Sequence, residues 1–468
     1  MWFAWRPTGL VISAGQALES TLQREGFVRH LKPLLLAFVA LFAAPLALSP
    51  LAQSGHAGPG HATSAHAAAG ARMRDLAVAT PESVGVSSER VHRIETAMKR
   101  LVDDKQIAGV VTLLERHGKV VEFNAVGRKD VRTADPLQKD SIFRIYSMTK
   151  PLTGLAMMML YEEGKWRIDD PVARYIPEFA KMKVYTGQNA DGTPKLEDAR
   201  RSMTMRELMT HTAGLGYVLS QQNPVDKMYI ESKVLNAGAP LQAMINGLAK
   251  LPMLAQPGTR WSYSIAVDVQ GYLVEKFSGQ SFADFLRTRV FEPLGMKDTA
   301  FYVPPEKLSR LALVHNGGPN GLVVDENRPD PAVVPLGASG GGGLFSTAMD
   351  YARFCEMMLG GGQLNGVRLI APRTVEMMRT NHVNPEPLKT MGPGTGWGLD
   401  FQVWMDAAAA GEPVSNGSYN WFGIAGTWFW IDPVEDVAFI GMLQHVNLGT
   451  TRAIHGLSRN LVYQSIVN

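Results

Sequence analysis

Ser147-Met148-Thr149-Lys150 sets a hydroxyl and an amine three residues apart, just ahead of an apolar run from Leu152 to Leu160. On a helix that spacing puts both side chains on one face. The amine can then take the hydroxyl proton, leaving an oxygen nucleophile able to attack a carbonyl. Pro151, which has no N–H, fits only near a helix start and so places Ser147 at the first turn. Free N–H groups and the positive dipole end there favour a developing oxyanion. S-x-x-K also recurs by chance, as a solvated helix start, so the chemistry needs partners elsewhere.

One partner stands about a hundred residues on, in Gln256-Pro257-Gly258-Thr259-Arg260-Trp261-Ser262-Tyr263-Ser264. A phenol held near a lysine ammonium has its ionised form favoured, and Tyr263 can relay a proton between nucleophile, base and leaving group. A competing nucleophile is Ser339 in Gly337-Ala338-Ser339-Gly340-Gly341, which fits G-x-S-x-G, with Asp432 and His445 following in triad order. That elbow needs a strand, a sharp turn and a helix. Here a glycine run follows the serine and Pro- and Asn-rich coil precedes it, so Ser147 is the expected nucleophile.

Other reactive types have plainer roles. His211 is expected to bond a helix end, and His445 to be structural or to line substrate. Cys355 lies inside the apolar pattern Tyr351, Phe354, Met358 and reads as a core thiol. Trp397, Trp421, Trp428 and Trp430 read as core or pocket wall. His56, His61 and His66 sit in a flexible stretch that defines no metal geometry. No metal-ligand spacing, phosphate loop or dinucleotide fingerprint occurs, so neither metal nor cofactor is expected.

These groups need a scaffold, and 468 residues with 46% hydrophobic content can bury one large core or two ordinary ones. A net charge of +3 without basic runs gives no reason to expect nucleic acid. Arg24, Arg29 and Lys32 precede an uncharged run from Leu34 to Leu48 and then small residues, as in a secretory signal. The run is short for a membrane span, though an uncleaved anchor is the one membrane contact foreseen. The stretch before it is long for a signal, so the true start is expected near Val28. Residues 1–54 thus read as targeting segment and 55–80 as linker, with the mature protein periplasmic or secreted. A single cysteine provides no disulfide framework.

From Pro81 the pattern becomes regular. Val91, Ile94, Met98 and Leu101 predict a helix; 107–114 and 120–126 predict a hairpin through Arg116-His117-Gly118-Lys119. The apolar helix after Lys150 ends near Gly164. Thr204-Met205-Arg206-Glu207 is a capping-box match that opens a short helix. Residues 428–431 and 437–443 predict a second hairpin, and a helix from about 451 to 466 closes the chain. The expected architecture is mixed α+β. Residues 81–165 and 332–468 form an antiparallel sheet domain flanked by helices, and 166–331 form an inserted, mainly helical domain.

Further landmarks accompany Ser147 to Lys150 and Trp261 to Ser264. They are Asp169-Asp170-Pro171-Val172, Leu208-Met209-Thr210-His211-Thr212-Ala213-Gly214-Leu215, Phe291-Glu292-Pro293-Leu294-Gly295-Met296, Ser339 to Thr347, Gly396-Trp397-Gly398-Leu399 and Trp421-Phe422-Gly423-Ile424-Ala425-Gly426-Thr427. In this order they resemble the serine β-lactamase and penicillin-binding-protein superfamily, and within it the class C β-lactamase-related family VIII carboxylesterases. The resemblance spans Pro81 to the C-terminus. It implies a β-lactamase/transpeptidase-like fold, Ser147 as the acylated nucleophile, Lys150 as the S-x-x-K lysine and Tyr263 as the tyrosine of Y-x-N. It places the oxyanion hole at the backbone N–H groups of Ser147 and Ile424, the latter in the strand after the third motif. Either Lys150 or Tyr263 fits as acylation base.

Two departures concern substrate: Ile265 replaces the asparagine of Y-x-N, and Trp421 stands where β-lactamases present the lysine of K-T-G. Tyr146, Ile265, Trp421, Phe422 and Gly423 are expected to line the substrate. An apolar pair cannot offset desolvation of a carboxylate, so a neutral small-molecule ester is expected over a charged lactam. The resemblance also leaves open a β-lactamase, a D-alanyl carboxypeptidase or a catalytically idle peptidoglycan binder. Specificity is assigned to the stretch from Tyr217 to Pro240.

Overall fold

The computed structural model describes residues 74–468 apart from positions 220, 222, 319 and 320. The targeting segment, His56, His61, His66 and most of the expected linker lie outside the described residues.

Eight strands make the main sheet: β1 (Ala77–Val78), β2 (Gly109–Arg116), β3 (Lys119–Gly127), β4 (Thr395–Trp397), β5 (Gln402–Trp404), β6 (Tyr419–Phe422), β7 (Trp428–Asp432) and β8 (Val437–Leu443). Their order is β1-β3-β2-β8-β7-β6-β5-β4, antiparallel except where β1 runs parallel to β3. The two ends of the chain therefore meet at β2 and β8, paired from Val437 opposite Arg116 to Leu443 opposite Val110.

Alternation along the central strands loads both faces. Val437, Phe439 and Leu443 of β8 pack with Val91, Ile94 and Met98 of helix α1 (Ser88–Asp103) and with Ile454 and Val462 of the closing helix, Leu448–Tyr463. Ala438, Ile440 and Met442 point the other way, into the larger core. That core holds helix α2 (Thr149–Glu162), in which every residue from Thr149 to Leu160 is buried. A helix with so little polar surface stays in place because it is enclosed, and its first turn carries the S-x-x-K residues.

Two expectations change, and a third gains detail. The last linker residues are structured: β1 pairs with β3, Arg74 bridges Glu356 and Asp436, and Lys119 holds Asp75 at 2.6 Å. Region 166–331, expected to be mainly helical, also carries hairpins at Lys183–Gln188 with Pro194–Asp198 and at His315–Gly318 with Gly321–Val324. Finally, the α-helix begins at Thr149, and Ser147 lies in the 3-10 turn Tyr146–Met148 ahead of it. The capping box forms as foreseen on helix α3 (Met205–Met209), with Thr204 and Glu207 bonding each other's backbone N–H.

Candidate active site

The turn carrying Ser147 is fixed from both sides. Phe143–Arg144 pairs with Phe345–Ser346, and the Ile145 N–H donates to Leu344 O at 3.0 Å. Tyr146 then takes a left-handed conformation, φ 43°, which an ordinary side chain adopts only under constraint. The kink turns the chain into α2 at the serine.

Lys150 is fully buried. Its Nζ donates to Gly341 O at 2.6 Å, Tyr217 Oη at 3.1 Å and Ser147 Oγ at 3.3 Å. An ammonium has three N–H groups, and here each has an acceptor. Burial alone pulls this amine down, but Tyr217, Tyr263 and Asp268 outweigh it and hold its pKa above the ordinary value. Burial pushes the Tyr217 phenol up, against the pull of Lys150.

Tyr263 stands over the amine, with Nζ 4.5 Å from its ring centroid. Its ring meets Tyr217 edge-on at 5.1 Å and His211 at 4.9 Å. Trp421, on β6, donates its indole N–H to the Tyr263 oxygen at 3.2 Å. That oxygen accepts from Trp421 and still carries a proton of its own to donate. Trp421, apolar by comparison with the lysine it replaces, is in the fold a hydrogen-bond donor to the phenol.

Ile424 lies in the turn between β6 and β7, rather than in a strand. The turn is closed by Gly423 N–H to Thr427 O at 2.7 Å and anchored by Thr427 Oγ1 to Ile145 O at 3.2 Å, two residues before Ser147. Gly423 is needed because a Cβ there would sit 2.5 Å from Ile145 O. Among the described residues, neither the Ser147 nor the Ile424 N–H donates to a protein acceptor. Free backbone donors at a nucleophile are what an oxyanion hole requires.

Ile265 does not line the cleft. It has no exposed surface, packs in the main core and gives its N–H to Gly216 O at 3.0 Å. Phe422 is half-buried against Trp421 at 4.9 Å, and Tyr146 borders a cavity of about 540 Å³ with Val234, Leu241, Phe301, Leu336 and Phe345. Residues 234–240 form one wall of it, within the stretch assigned to specificity.

The competing serine is bound elsewhere: Ser339 donates to Asp268, whereas Asp432 accepts from Tyr463 and the Ser415 N–H. His211 bonds Ser264 Oγ at 3.0 Å through Nδ1, not the helix end, and burial followed by the Lys150 charge holds it well below the usual histidine range. His445 and Cys355 are buried. The residue that spacing did not reveal is Tyr217. Its only signal was its position two residues beyond the Leu208–Leu215 landmark.

A serine hydroxyl in the turn ahead of a helix, a lysine amine with three acceptors and a phenol above it lie together on a mixed sheet-and-helix fold, and these are the groups acyl transfer calls for. The chain belongs to the Beta-lactamase family, whose model matches residues 94–463. It is 34% identical over 361 residues to Protein Rv1367c of Mycobacterium tuberculosis, covering 75% of this chain and 89% of that one. It is 30% identical over 357 residues to Esterase EstB of Burkholderia gladioli, covering 72% and 86%. Among solved structures it resembles EstCE1, a hydrolase with promiscuous acyltransferase activity, with a TM-score of 0.66, 27% identity and coverage of 82% and 99%. The chain is a serine hydrolase of the β-lactamase-related type, with esterases among its relatives.

Proposed function

We propose that the protein is an exported carboxylesterase that forms an acyl-enzyme on Ser147 and prefers neutral, short-chain esters. Ser147 Oγ attacks the carbonyl carbon while its proton passes to the Lys150–Tyr263 pair in the state that has given up one proton, a neutral amine beside the phenol or a phenolate beside the ammonium. The carbonyl oxygen, now anionic, takes hydrogen bonds from the Ser147 and Ile424 N–H groups. Collapse expels the alcohol, which leaves with the proton. Water then attacks the acyl-enzyme by the same relay, releasing the acid; an alcohol in place of water gives acyl transfer.

The observation that carries this reading is the convergence of Ser147, Tyr217 and Tyr263 on one buried amine. Trp421, where the β-lactamases carry lysine, supports a neutral ester over a carboxylate-bearing lactam, and the names of EstB and EstCE1 point the same way. Export rests on the run from Leu34 to Leu48.

The test is a panel of p-nitrophenyl esters, nitrocefin and D-alanyl peptides with wild type and Ser147→Ala. Short-chain esters should turn over fastest, and Ser147→Ala should abolish turnover while Ser339→Ala lowers it modestly. Peptides outrunning esters would defeat the substrate assignment, and a fluorophosphonate probe that fails to label wild type would indicate an idle relative. N-terminal sequencing of protein from the periplasm or medium should begin after Leu48.

A further inference from the structure

Lys150 is aimed by a neighbour with a partner of its own. Gly341, whose carbonyl accepts from Lys150 Nζ at 2.6 Å, gives its N–H to Asp268 Oδ1 at 3.1 Å. Asp268 lies in the first turn of the helix Ala266–Ser278 and has no exposed surface. The same Oδ1 accepts from Ser339 Oγ at 2.5 Å, and Oδ2 has no partner among the described residues.

The glycine run is what lets this carboxylate approach. A Cβ on Gly341 would fall 2.5 Å from Asp268 Oδ2, and one on Gly340 would fall 2.4 Å from Val267 O. Across the segment, Gly340 O accepts from Thr153 Oγ1 at 2.8 Å and the Leu344 N–H donates to Thr149 Oγ1 at 3.1 Å. The strip is thereby sewn to α2 on one side and held by Asp268 on the other.

We propose that Asp268 is a positioning residue for acyl transfer: its carboxylate fixes the Gly341 peptide, and that peptide directs the Lys150 amine at Ser147. With two N–H groups held by Gly341 and Tyr217, the third position on nitrogen faces the serine oxygen, as a donor when charged and as a lone pair when neutral. A fully buried carboxylate with an unpartnered oxygen costs stability. Its return is the aim of the amine. This inference rests on Ser147 being the nucleophile and Lys150 its proton partner.

The experiment measures fluorophosphonate labelling rates across pH, with p-nitrophenyl acetate kinetics and melting curves alongside, for wild type, Ser147→Ala, Asp268→Asn and Asp268→Ala. Labelling of wild type but not of Ser147→Ala establishes the nucleophile first; its absence would sink the proposed function and this inference with it, whereas undiminished labelling of the Asp268 variants would sink this inference alone. Asp268→Ala, which frees Gly341, should then label about a hundredfold more slowly per folded molecule.

Asp268→Asn keeps an acceptor for Gly341 and Ser339, so it should recover much of that loss with KM nearly unchanged. It also removes a negative charge from a site whose other titratable groups are Tyr217, Tyr263, His211 and Asp400. The rise of its labelling rate with pH should therefore start at lower pH. Wild-type rates per folded molecule in both variants would overturn the proposal. So would equal losses in both with an unmoved pH profile, since packing alone would then explain the residue. Should Asp268→Ala fail to fold, Asp268→Asn carries the same decision through its pH profile.

Discussion

The indole N–H of Trp421 donates to the phenol oxygen of Tyr263 at 3.2 Å, across 158 residues of chain. The bond ties the third motif, on β6, to the tyrosine over Lys150. A residue that replaces a lysine in sequence thus keeps a donor in that part of the site.

Trp421→Phe keeps a ring and loses the donor. A hydrogen bond of this kind is worth about 1 kcal/mol, more when its loss lets a reacting group wander. We expect kcat for p-nitrophenyl acetate to fall about tenfold with KM little changed, and fluorophosphonate labelling to slow in parallel.

Tyr217→Phe removes one of the three acceptors around the Lys150 amine. Tyr217 helps hold that amine's pKa above its ordinary value, so the variant's amine should lose its proton more readily. The expected result is a drop in kcat/KM of roughly tenfold at neutral pH, from the lost alignment. The pH–rate profile should begin its rise at lower pH than wild type.

Gly423→Ala tests the backbone donor at Ile424. The new Cβ would meet Ile145 O at 2.5 Å and Thr427 Oγ1 at 2.4 Å, so the turn must move away from Ser147. Loss of one oxyanion-hole donor typically costs about a hundred- to a thousandfold in kcat. Single-turnover acylation should show that loss per folded molecule, beyond the lowered melting temperature that the overpacking brings.

Glu122→Gln reads out a buried carboxyl outside the site. Burial pushes Glu122 up to about 7, opposed by hydrogen bonds from Thr112 at 2.7 Å and Asn124 at 2.8 Å. Below the unfolded value of 4.5 the carboxyl is protonated in both states, and its full stability is present. Between 4.5 and 7 the unfolded chain is ionised while the folded carboxyl stays protonated, so stability on the order of 3 kcal/mol has been lost once the pH passes 7. Urea midpoints of variant and wild type should therefore agree near pH 4.5 and favour the variant at pH 8.

Much of the frame was legible because it depends on local patterns. The helix before the first hairpin, the hairpins themselves and the capping box at Thr204 each follow from periodicity or turn chemistry within a dozen residues. The hairpins at residues 183–198 and 315–324 were not legible. Their strands are largely exposed, Pro194–Asp198 at every residue, and lack the apolar alternation that announces a buried strand.

Residue types and short spacings by themselves determined Ser147 and Lys150, since three residues on a helix start bring hydroxyl and amine together whatever surrounds them. Tertiary structure alone decided what the amine touches and where the tyrosine, the indole and the carboxylate come to rest. Tyr217, Asp268 and Gly341 reach Lys150, or the group that holds it, from segments 67 to 191 residues away, and no local period encodes such meetings. Packing also removed Ile265 from the cleft and turned Ser339 toward Asp268. The side chains that aim a nucleophile are selected by the shape of the buried space around it, and that space exists only once distant elements have closed over it.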